Sequence, residues 1–486
     1  MKLGSNTISK ISLSYLLISL FIFLCFWLNP LFAGVSVIAL MIIWYKLYDE
    51  KEQSENTEIN IKKDYIIIAV LIALLWCFLG GIGGYFWQYL PDWNFRNATI
   101  NDLTTHSWPV IYTNRTALVY YFGFYLPPIL LGKIFGSIFF LSNTETIALA
   151  NGFSLIYAAF GVFLCFLNLF VLTKSENKKW IITILIFILF SGMDLFIGHK
   201  PHQDWHPPFS YLSNNIQLFY SYHIAIPIWL TTSILLNKLK NTDFYGLFGI
   251  LYIFFCPQTI YASGLIMAYL AFQSGIKSFI NKDLKNFIKK VFDIKNALSI
   301  AILFPILYLF YMSNYTSQHF HFYLNKPELL AFQSIIFGAG IYLAIIGKKY
   351  YKDSLYYLSV TILILFPFIA FKTDYDFMMR ATIPAFFIMM VMIIKFLFDE
   401  KIDFKFSKYL LVLCLLIGSI IPISLIDKAF LAWNHNIKPM VKNNIKTFEG
   451  RITPNNKPTD NIFDYRNYAS INYNKYVFWK YLAKKR

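Results

Sequence analysis

The sequence has few charged residues for its length. They make up 14% of 486 residues, whereas a soluble domain averages about 25%. Acidic residues are the scarcer kind, since 26 Asp and Glu stand against 43 Lys and Arg, giving a formal net charge of +17. Hydrophobic residues make up 57% of the chain, so little polar surface is available to cover a water-soluble fold. This composition excludes a chain of several soluble domains.

Cysteine is also rare, and none of its five positions forms a ligand or disulfide pattern. The thiols lie singly inside apolar runs, at Cys25, Cys77, Cys165, Cys256 and Cys414. We interpret them as small packing residues. The sequence also lacks a P-loop, a GxGxxG turn, an HExxH helix and a GxSxG elbow, which argues against the enzyme classes built on those motifs. Ionisable residues are scarce inside the apolar runs, which argues against an ion-coupled transporter.

Long apolar runs recur from one end of the chain to the other. Examples are Ile11–Leu28, Tyr65–Tyr85, Trp180–Ile197 and Tyr409–Ile426. Each approaches the roughly 17–25 residues that a helix needs to cross the hydrocarbon core of a bilayer. Backbone polar groups inside lipid must bond to one another, and a helix satisfies them within one segment. The runs therefore predict an all-α fold, a polytopic transmembrane helical bundle in a lipid bilayer.

The orientation of the bundle follows from its prolines and lysines. The segment Leu118–Leu141 contains Pro127–Pro128, which interrupts a helix because two backbone donors are missing. If this segment dips in and returns to the same side, about thirteen spans remain. The inward-facing segments, including the N-terminus, then carry many lysines and no arginine. We predict a multi-pass protein of a bacterial inner membrane with a cytoplasmic N-terminus and a Pro-broken re-entrant segment, and the charge requires no nucleic-acid partner.

Two regions follow from this topology. Residues 1–427 form the transmembrane helical domain, with outer loops at 86–116, 198–219, 314–326 and 372–383, and a helical hairpin broken at Pro257. Residues 428–486 form an aromatic, basic tail that falls on the extracytoplasmic side and can cover the outer face. At the cytoplasmic side, Ser274–Asn296 has an apolar stripe opposite lysines, which predicts an amphipathic helix on the membrane surface.

Histidine and arginine are confined to the predicted outer side. All eight histidines and all six arginines lie in outer segments or in the tail, whereas the inner loops use lysine. The planar guanidinium suits bidentate binding of phosphate or carboxylate, so the outer loops are expected to carry chemistry or binding. The alternative is a lysine-rich composition that leaves few arginines to place.

The first outer loop has the densest set of reactive groups. It contains Asp92 and Asp102, two arginines at Arg96 and Arg115, and His106, interleaved with aromatic residues. A carboxylate here can act as a general base toward a sugar hydroxyl or hold a divalent cation. A neighbouring arginine can neutralise a departing phosphate. The alternative is a solvated loop in which Asp92 and Asp102 start short helices.

Two further outer loops carry candidate binding residues. The second groups three histidines and an acid, namely His199, His202, Asp204 and His206. These atoms suit a transition metal, a sugar or a phosphate, and an ordinary polar loop is the remaining interpretation. The third reads Asp374-x-Asp376 followed by Arg380, a pattern that can bind a metal–diphosphate or a polar headgroup. Its alternative is a helix start in which the acids favour the positive end of the helix dipole.

The segment after the first loop reads Tyr120-Tyr121-Phe-Gly-Phe-Tyr-Leu-Pro127-Pro128 and ends in Phe135-Gly136. Together with the loop, over about residues 85–140, it resembles the GT-C class of membrane glycosyltransferases, which use polyprenyl-phosphate-linked sugars. The resemblance implies that Asp92 or Asp102 is the catalytic acid residue and that Tyr120 and Tyr121 line the site. The chain departs from the class in lacking an adjacent acidic pair and in carrying an extra hairpin at Ile11–Leu47.

We therefore expect a membrane glycosyltransferase that moves a sugar from a polyprenyl-phosphate donor to a lipid or glycan acceptor on the extracytoplasmic face. Asp92 or Asp102 serves as base or cation ligand, and arginines such as Arg96, Arg115 and Arg380 bind phosphate. Two alternatives stay open. One is a transporter or flippase of lipid-linked glycans. The other is a polymerase or ligase of surface polysaccharide, which would use outer arginines and a histidine instead of an acidic base.

Overall fold

A computed structural model describes most of the chain as helix. The described residues are 2–49, 58–88, 92–176, 178–197, 209, 211–238, 242–318, 322–324, 328–371, 377–400, 405–434, 447–450 and 465–485. The helices of the first half are α1 (Ser5–Trp27), α2 (Pro30–Asp49), α3 (Lys63–Leu79), α4 (Asp92–Thr105), α5 (Leu126–Ile138), α6 (Asn143–Thr173), α7 (Lys179–Leu189), α8 (Asn214–Asn237), α9 (Tyr245–Phe255) and α10 (Ile260–Ile280).

Shorter helical pieces are more frequent in the second half of the chain. They are α11 (Leu284–Val291), α12 (Ile294–Leu298), α13 (Phe304–Met312), α14 (Tyr315–Gln318), α15 (Leu329–Gln333), α16 (Ile341–Tyr350), α17 (Ser354–Leu365), α18 (Phe377–Ala381), α19 (Ile383–Phe398), α20 (Lys405–Gly418) and α21 (Ile420–Asn434). Wider π-type turns at Ser299–Leu303 and Ser334–Gly340 join α12 to α13 and α15 to α16, so each pair forms one longer rod.

Nine helical stretches within the described ranges are long and apolar enough to cross a membrane. They are Ser5–Trp27, Pro30–Tyr48, Asn143–Thr173, Lys179–Phe196, Asn214–Asn237, Pro257–Ile280, Leu284–Met312, Leu329–Tyr350 and Lys405–Leu431. Shorter apolar helices cover Gly123–Ile138, Thr242–Phe255, Ser354–Phe368 and Ile383–Phe398. The all-α fold with helices long and apolar enough to span a membrane is therefore confirmed, whereas the number of thirteen spans stays a prediction.

Within the described ranges, six short strands form three antiparallel pairs. β1 (Lys2–Gly4) pairs with β2 (Glu58–Asn60), β3 (Thr116–Leu118) with β6 (Ala469–Ile471), and β4 (Phe322–Leu324) with β5 (Ile369–Phe371). Each pair joins two segments that the predicted topology places on the same side of the bundle. We call the end that carries α4, β3 and β6 the α4 end.

The segment before α5 enters the bundle and comes back. Phe124 reaches the middle of α1 and α6, where its ring centroid lies 6.3 Å from that of Tyr15 and 5.1 Å from that of Tyr157. From there α5 runs back to the beginning of α6, with Gly136 against Thr146. The chain thus descends and returns, as a re-entrant segment does. The prediction that its prolines break a helix is wrong.

Pro127 and Pro128 lie in the first turn of α5, which is continuous from Leu126 to Ile138. The first N–H groups of a helix have no internal acceptor, so prolines there cost no hydrogen bond. The two prolines therefore mark where the chain turns. Close packing holds α5 in place, since Gly132 and Gly136 are spaced as a small-xxx-small pair and face α6. A Cβ at Gly132 would lie 2.7 Å from the Cβ of Ala150, so only glycine fits there.

Two further predictions concern turns between helices. The hairpin is broken at Pro257, as predicted, because α9 ends at Phe255 and a single 3-10 turn, Pro257–Thr259, precedes α10. The single amphipathic helix over Ser274–Asn296 is wrong. α10 continues to Ile280, and Lys282 then adopts a φ of 57° and starts a turn into α11. The exposed α11 buries no residue, as a helix lying on a surface would.

The described part of the tail packs across the α4 end. The Lys484 N–H donates to the carbonyl oxygen of Trp27 at 2.9 Å, and the Asn29 N–H donates to that of Leu482 at 2.8 Å. The Trp479 Nε1–H donates to the Ser313 hydroxyl at 3.0 Å. The tail therefore covers this end of the bundle. Helix α21 extends past residue 428 to Asn434. The boundary of the tail at residue 428 stays a prediction.

Candidate active site

Helix α4 places Asp92 and Arg96 one turn apart. The helix begins at Asp92, which is half-buried, while Arg96 is 9% exposed. The Arg96 guanidinium carbon lies 5.6 Å from the centre of the Trp93 ring. Its Nε and Nη1 have no hydrogen-bond partner among the described residues. A buried cation without a bonded anion is costly, so this side chain is poised to receive one.

The second arginine reaches the same place from α18. The Arg380 guanidinium carbon lies 5.4 Å from the centre of the Tyr121 ring, and the ring of Tyr121 lies 3.7 Å from that of Tyr120. Both Arg96 and Arg380 act electrostatically on the Tyr120 hydroxyl. The structure thus brings together four residues predicted from three segments of sequence. These four, with Asp92, are called the arginine cluster below.

The tail supplies a wall to the arginine cluster. The ring of Tyr468 lies 4.2 Å from that of Tyr120, and it stacks on Phe95 of α4 at 5.2 Å with an interplanar angle of 2°. The Asp92 carboxylate acts electrostatically on the Tyr468 hydroxyl. Burial raises the pKa of Tyr468 and of Tyr120 well above the ordinary tyrosine range, so both remain neutral hydroxyl donors. Sequence reasoning did not single out Tyr468, although the aromatic content of the tail pointed to such a cover.

Asp102 is used differently from Asp92. Its side chain is fully buried and accepts hydrogen bonds from the Tyr112 hydroxyl at 2.7 Å, from the Phe448 N–H at 2.9 Å and from the Thr447 hydroxyl. Burial raises the pKa of Asp102, and these donors oppose the rise. Because both oxygens are occupied, Asp102 fastens the tail to α4. The two candidate carboxylates therefore have different surroundings.

Two other predicted residues also contact the tail. Nε2 of His106 lies 3.2 Å from Oε2 of Glu449, and its Nδ1 lies 3.2 Å from the carbonyl oxygen of Asp102. Arg115 is exposed in a tight turn at a φ of 56°, and its carbonyl oxygen accepts from the Tyr473 N–H at 3.3 Å. His106 and Arg115 therefore both contact the tail.

Six predicted residues lie outside the described part of the chain. They are His199, His202, Asp204, His206, Asp374 and Asp376. Among the residues that the structure describes, no group of three His, Cys, Asp or Glu side chains is placed to hold a metal ion. The predicted phosphate site therefore rests on the arginines.

No family model, curated protein or solved structure matches this chain. The assignment of chemistry therefore depends on the site itself.

One buried residue next to the arginine cluster was not predicted as part of the site. His223 of α8 is 1% exposed, and its ring lies 4.9 Å from that of Tyr125 and 6.1 Å from that of Tyr121. In the sequence it stands inside an apolar stretch, where a lone histidine gives no spacing signal. A local signal was nevertheless present. Pro227 follows four residues later and has no N–H to donate to the carbonyl oxygen of His223, which weakens the helix there.

Lys133 of α5 holds α4 in place. Its ammonium donates to three carbonyl oxygens at the end of α4, those of Leu103 at 3.2 Å, Thr104 at 3.0 Å and His106 at 2.5 Å. The last carbonyls of a helix have no internal donor, and a cation there also favours the helix dipole. Lys133 therefore links α4, which carries Asp92 and Arg96, to the re-entrant segment.

We expect Lys133→Met to lower the free energy of unfolding by roughly 2–3 kcal/mol, because three carbonyl oxygens lose a charged donor. Turnover falls as α4 loosens. Thermal unfolding of the purified protein in detergent measures the first effect. Lys179→Met is the matched control, since Lys179 pairs at 2.8 Å with the exposed Glu400 and its loss changes stability little. Equal unfolding temperatures for the two variants would contradict this role.

Proposed function

We propose that this protein is a glycosyltransferase that moves a sugar from a polyprenyl-phosphate donor to a glycan or lipid acceptor. The proposed location is the extracytoplasmic face of a bacterial inner membrane, with the N-terminus in the cytoplasm. One observation carries the proposal. Arg96 is buried, its Nε and Nη1 have no hydrogen-bond partner among the described residues, and it lies one helical turn from a half-buried carboxylate.

The arginines account for the donor end of the reaction. When the bond from the anomeric carbon to the phosphate oxygen breaks, its electron pair stays on that oxygen. Negative charge therefore grows on the phosphate as the sugar leaves. Arg96 and Arg380 are placed to bind this charge, and a dry site strengthens their effect. The polyprenyl chain of the donor lies in the bilayer, which suits a site enclosed by membrane helices.

Asp92 accounts for the acceptor end. The acceptor hydroxyl forms the new bond to the anomeric carbon and must lose its proton. A half-buried carboxylate near the cluster can take that proton as general base. Coordination of a divalent cation is the alternative role for Asp92. Asp102 is assigned a positioning role here, because its oxygens already accept three hydrogen bonds.

The aromatic residues suit a sugar. The rings of Tyr120, Tyr121 and Tyr468 lie beside the arginines. Aromatic faces bind the apolar faces of sugar rings, and neutral phenols bind sugar hydroxyls. The cluster therefore combines groups for both halves of a sugar phosphate.

A second candidate function is a polymerase or ligase of surface polysaccharide. It also uses a lipid-linked glycan but relies on arginine and histidine without an acidic base. The position of His223, within electrostatic reach of both Arg96 and Arg380, favours it. The two functions differ in whether Asp92 is required.

The test is a profile of lipid-linked sugars and envelope glycans in cells that lack the protein. We expect one glycan to disappear and its lipid-linked donor to accumulate, and wild-type protein to reverse both changes. Asp92→Asn at equal protein level should not reverse them, whereas Asp64→Asn should, since Asp64 is exposed in the first turn of α3. Rescue by Asp92→Asn would favour the polymerase or ligase. An unchanged profile without the protein would reject both functions.

A further inference from the structure

His223 is a buried polar side chain that no described residue binds. It is 1% exposed, and neither ring nitrogen has a hydrogen-bond partner among the described residues. Its neighbours are aromatic rings, those of Tyr120 at 6.0 Å, Tyr121 at 6.1 Å and Tyr125 at 4.9 Å. An imidazole carries at least one N–H in any tautomer, and leaving that donor unbonded in an apolar site is costly. A missing hydrogen-bond acceptor is therefore implied.

The backbone of α8 is irregular at the same place. Ser221 has a φ of −147° and a ψ of 42°, which are not helical values, and Pro227 follows one turn after His223. Irregular backbone within a membrane helix is tolerated where it lies inside protein or lines a cavity. Most of α8 is buried, so this irregularity lies inside the bundle. The kinked helix presents His223 to the rings of Tyr120, Tyr121 and Tyr125, at the beginning of the re-entrant segment.

Two cations lie near this imidazole. The guanidinium groups of Arg96 and Arg380 both act electrostatically on His223. Three elements distant in sequence thus direct nitrogen donors to one buried region. A carboxylate has two oxygens and can be satisfied by a single guanidinium. A terminal phosphate has three oxygens and can accept from two guanidiniums and an imidazole together.

We propose that His223 is a third phosphate-binding residue, which donates an N–H to an oxygen of a lipid-linked phosphate held by Arg96 and Arg380. That the ligand carries an isoprenoid chain rests on the proposed function. It adds a residue to the site and narrows the ligand class to phosphate esters. His223 binds and orients the phosphate in this assignment, and it neither gains nor loses a proton.

Binding of farnesyl phosphate to the purified full-length protein in detergent tests the assignment. Calorimetric titration gives the affinity, with farnesol and farnesoic acid as probes that lack the phosphate. We expect farnesyl phosphate to bind at least about tenfold more tightly than either, since each charged hydrogen bond contributes about 1.5–3 kcal/mol. Competition by phosphatidic acid, but not by phosphatidylcholine, would place a bilayer headgroup in the same phosphate site. Equal affinity for farnesyl phosphate and farnesoic acid would overturn the phosphate assignment.

Variants isolate the imidazole. His223→Phe keeps the ring and removes the donor, so affinity should fall about tenfold or more. His223→Gln keeps a donor and should stay within about threefold of wild type. Thr232→Val is the control in the same buried helix. It removes a hydroxyl that is hydrogen-bonded to the Tyr252 hydroxyl of α9 and should leave affinity unchanged. His223→Leu replaces the Phe variant if that variant does not fold.

The outcomes separate this inference from the proposed function. Wild-type affinity in His223→Phe or His223→Leu, with loss in Arg96→Met, would overturn the role of His223 and leave sugar transfer standing. The opposite result combines two observations: the His223 variants lose affinity, and cells that lack the protein show an unchanged glycan profile. That result would reject sugar transfer and leave the phosphate site standing.

Discussion

Arg96→Met is expected to abolish turnover while making the protein more stable. Removing a donor to the charge that develops on a phosphate costs about 10²–10³-fold in rate. In the absence of ligand, however, the Arg96 guanidinium is a buried charge whose Nε and Nη1 bond to no residue in the described part of the chain. Replacing buried charge by an apolar side chain of similar size can stabilise a protein by about 1–4 kcal/mol. Thermal unfolding and a transfer assay on the same preparation measure both effects.

Arg466→Met is the contrasting variant. Arg466 is 5% exposed, and its guanidinium carbon lies 5.0 Å from the centre of the Tyr315 ring. This arginine has interactions within the protein, so its loss should lower the unfolding temperature. If Arg96→Met and Arg466→Met both destabilise the protein, Arg96 has a structural role, and the hypothesis of an anion site at Arg96 is rejected. Addition of farnesyl phosphate should raise the unfolding temperature of wild type and not that of Arg96→Met.

The two carboxylates of α4 are expected to respond in opposite ways to substitution. Asp92→Asn should lower turnover by about 10²–10⁴-fold, as loss of a general base does, with little change in stability. Asp102→Ala should destabilise by roughly 2–4 kcal/mol, because it leaves the donors of Tyr112, Thr447 and Phe448 unsatisfied at about 1 kcal/mol each. Thermal unfolding and limited proteolysis of the tail report the second effect, and the transfer assay reports the first.

Asp102→Asn is the control that separates charge from hydrogen bonding. Its amide oxygen can accept from Tyr112 and Phe448, while its amide nitrogen faces the Thr447 hydroxyl, which can switch to acceptor. The variant should therefore keep most stability and turnover. If instead Asp102→Asn is inactive but folded and Asp92→Asn is active, the catalytic carboxylate is Asp102, and the assignment of the two roles is reversed.

Much of the fold could be predicted from local sequence. Apolar runs of about the length that spans a bilayer favour helices regardless of their neighbours, so the helical bundle and the break at Pro257 could be predicted. That Pro127 and Pro128 begin a helix was not predicted. A proline pair predicts that no helix continues into it from the preceding residues. It does not predict whether a new helix begins at the prolines themselves. Lys282 turns the predicted amphipathic helix into two, and a left-handed lysine has no clear sequence signal.

The site was predicted only in part, because some of its residues stand out by their type and others only by contacts that are distant in sequence. Arg96 and Arg380 could be found because arginine near a membrane requires an explanation in itself. The separate roles of Asp92 and Asp102 depend on Thr447 and Phe448, whose contact with α4 no local pattern encodes. His223 was missed because a lone histidine in an apolar stretch gives no spacing signal, and because its lack of a hydrogen-bond partner among the described residues depends on the tertiary structure.

The hydrogen bonds that fasten the tail have a consequence for synthesis. The Asn29 side chain donates to the carbonyl oxygen of Tyr481 across a sequence separation of 452 residues. At typical rates of about 5–20 residues per second, a ribosome needs roughly 20–90 s to add those residues. During that time α1 and α4 are inserted without the segment that will close over them. The arginine cluster therefore lacks its Tyr468 wall on every nascent chain until that residue has been added, and a chain interrupted before Tyr468 is left with the cluster uncovered.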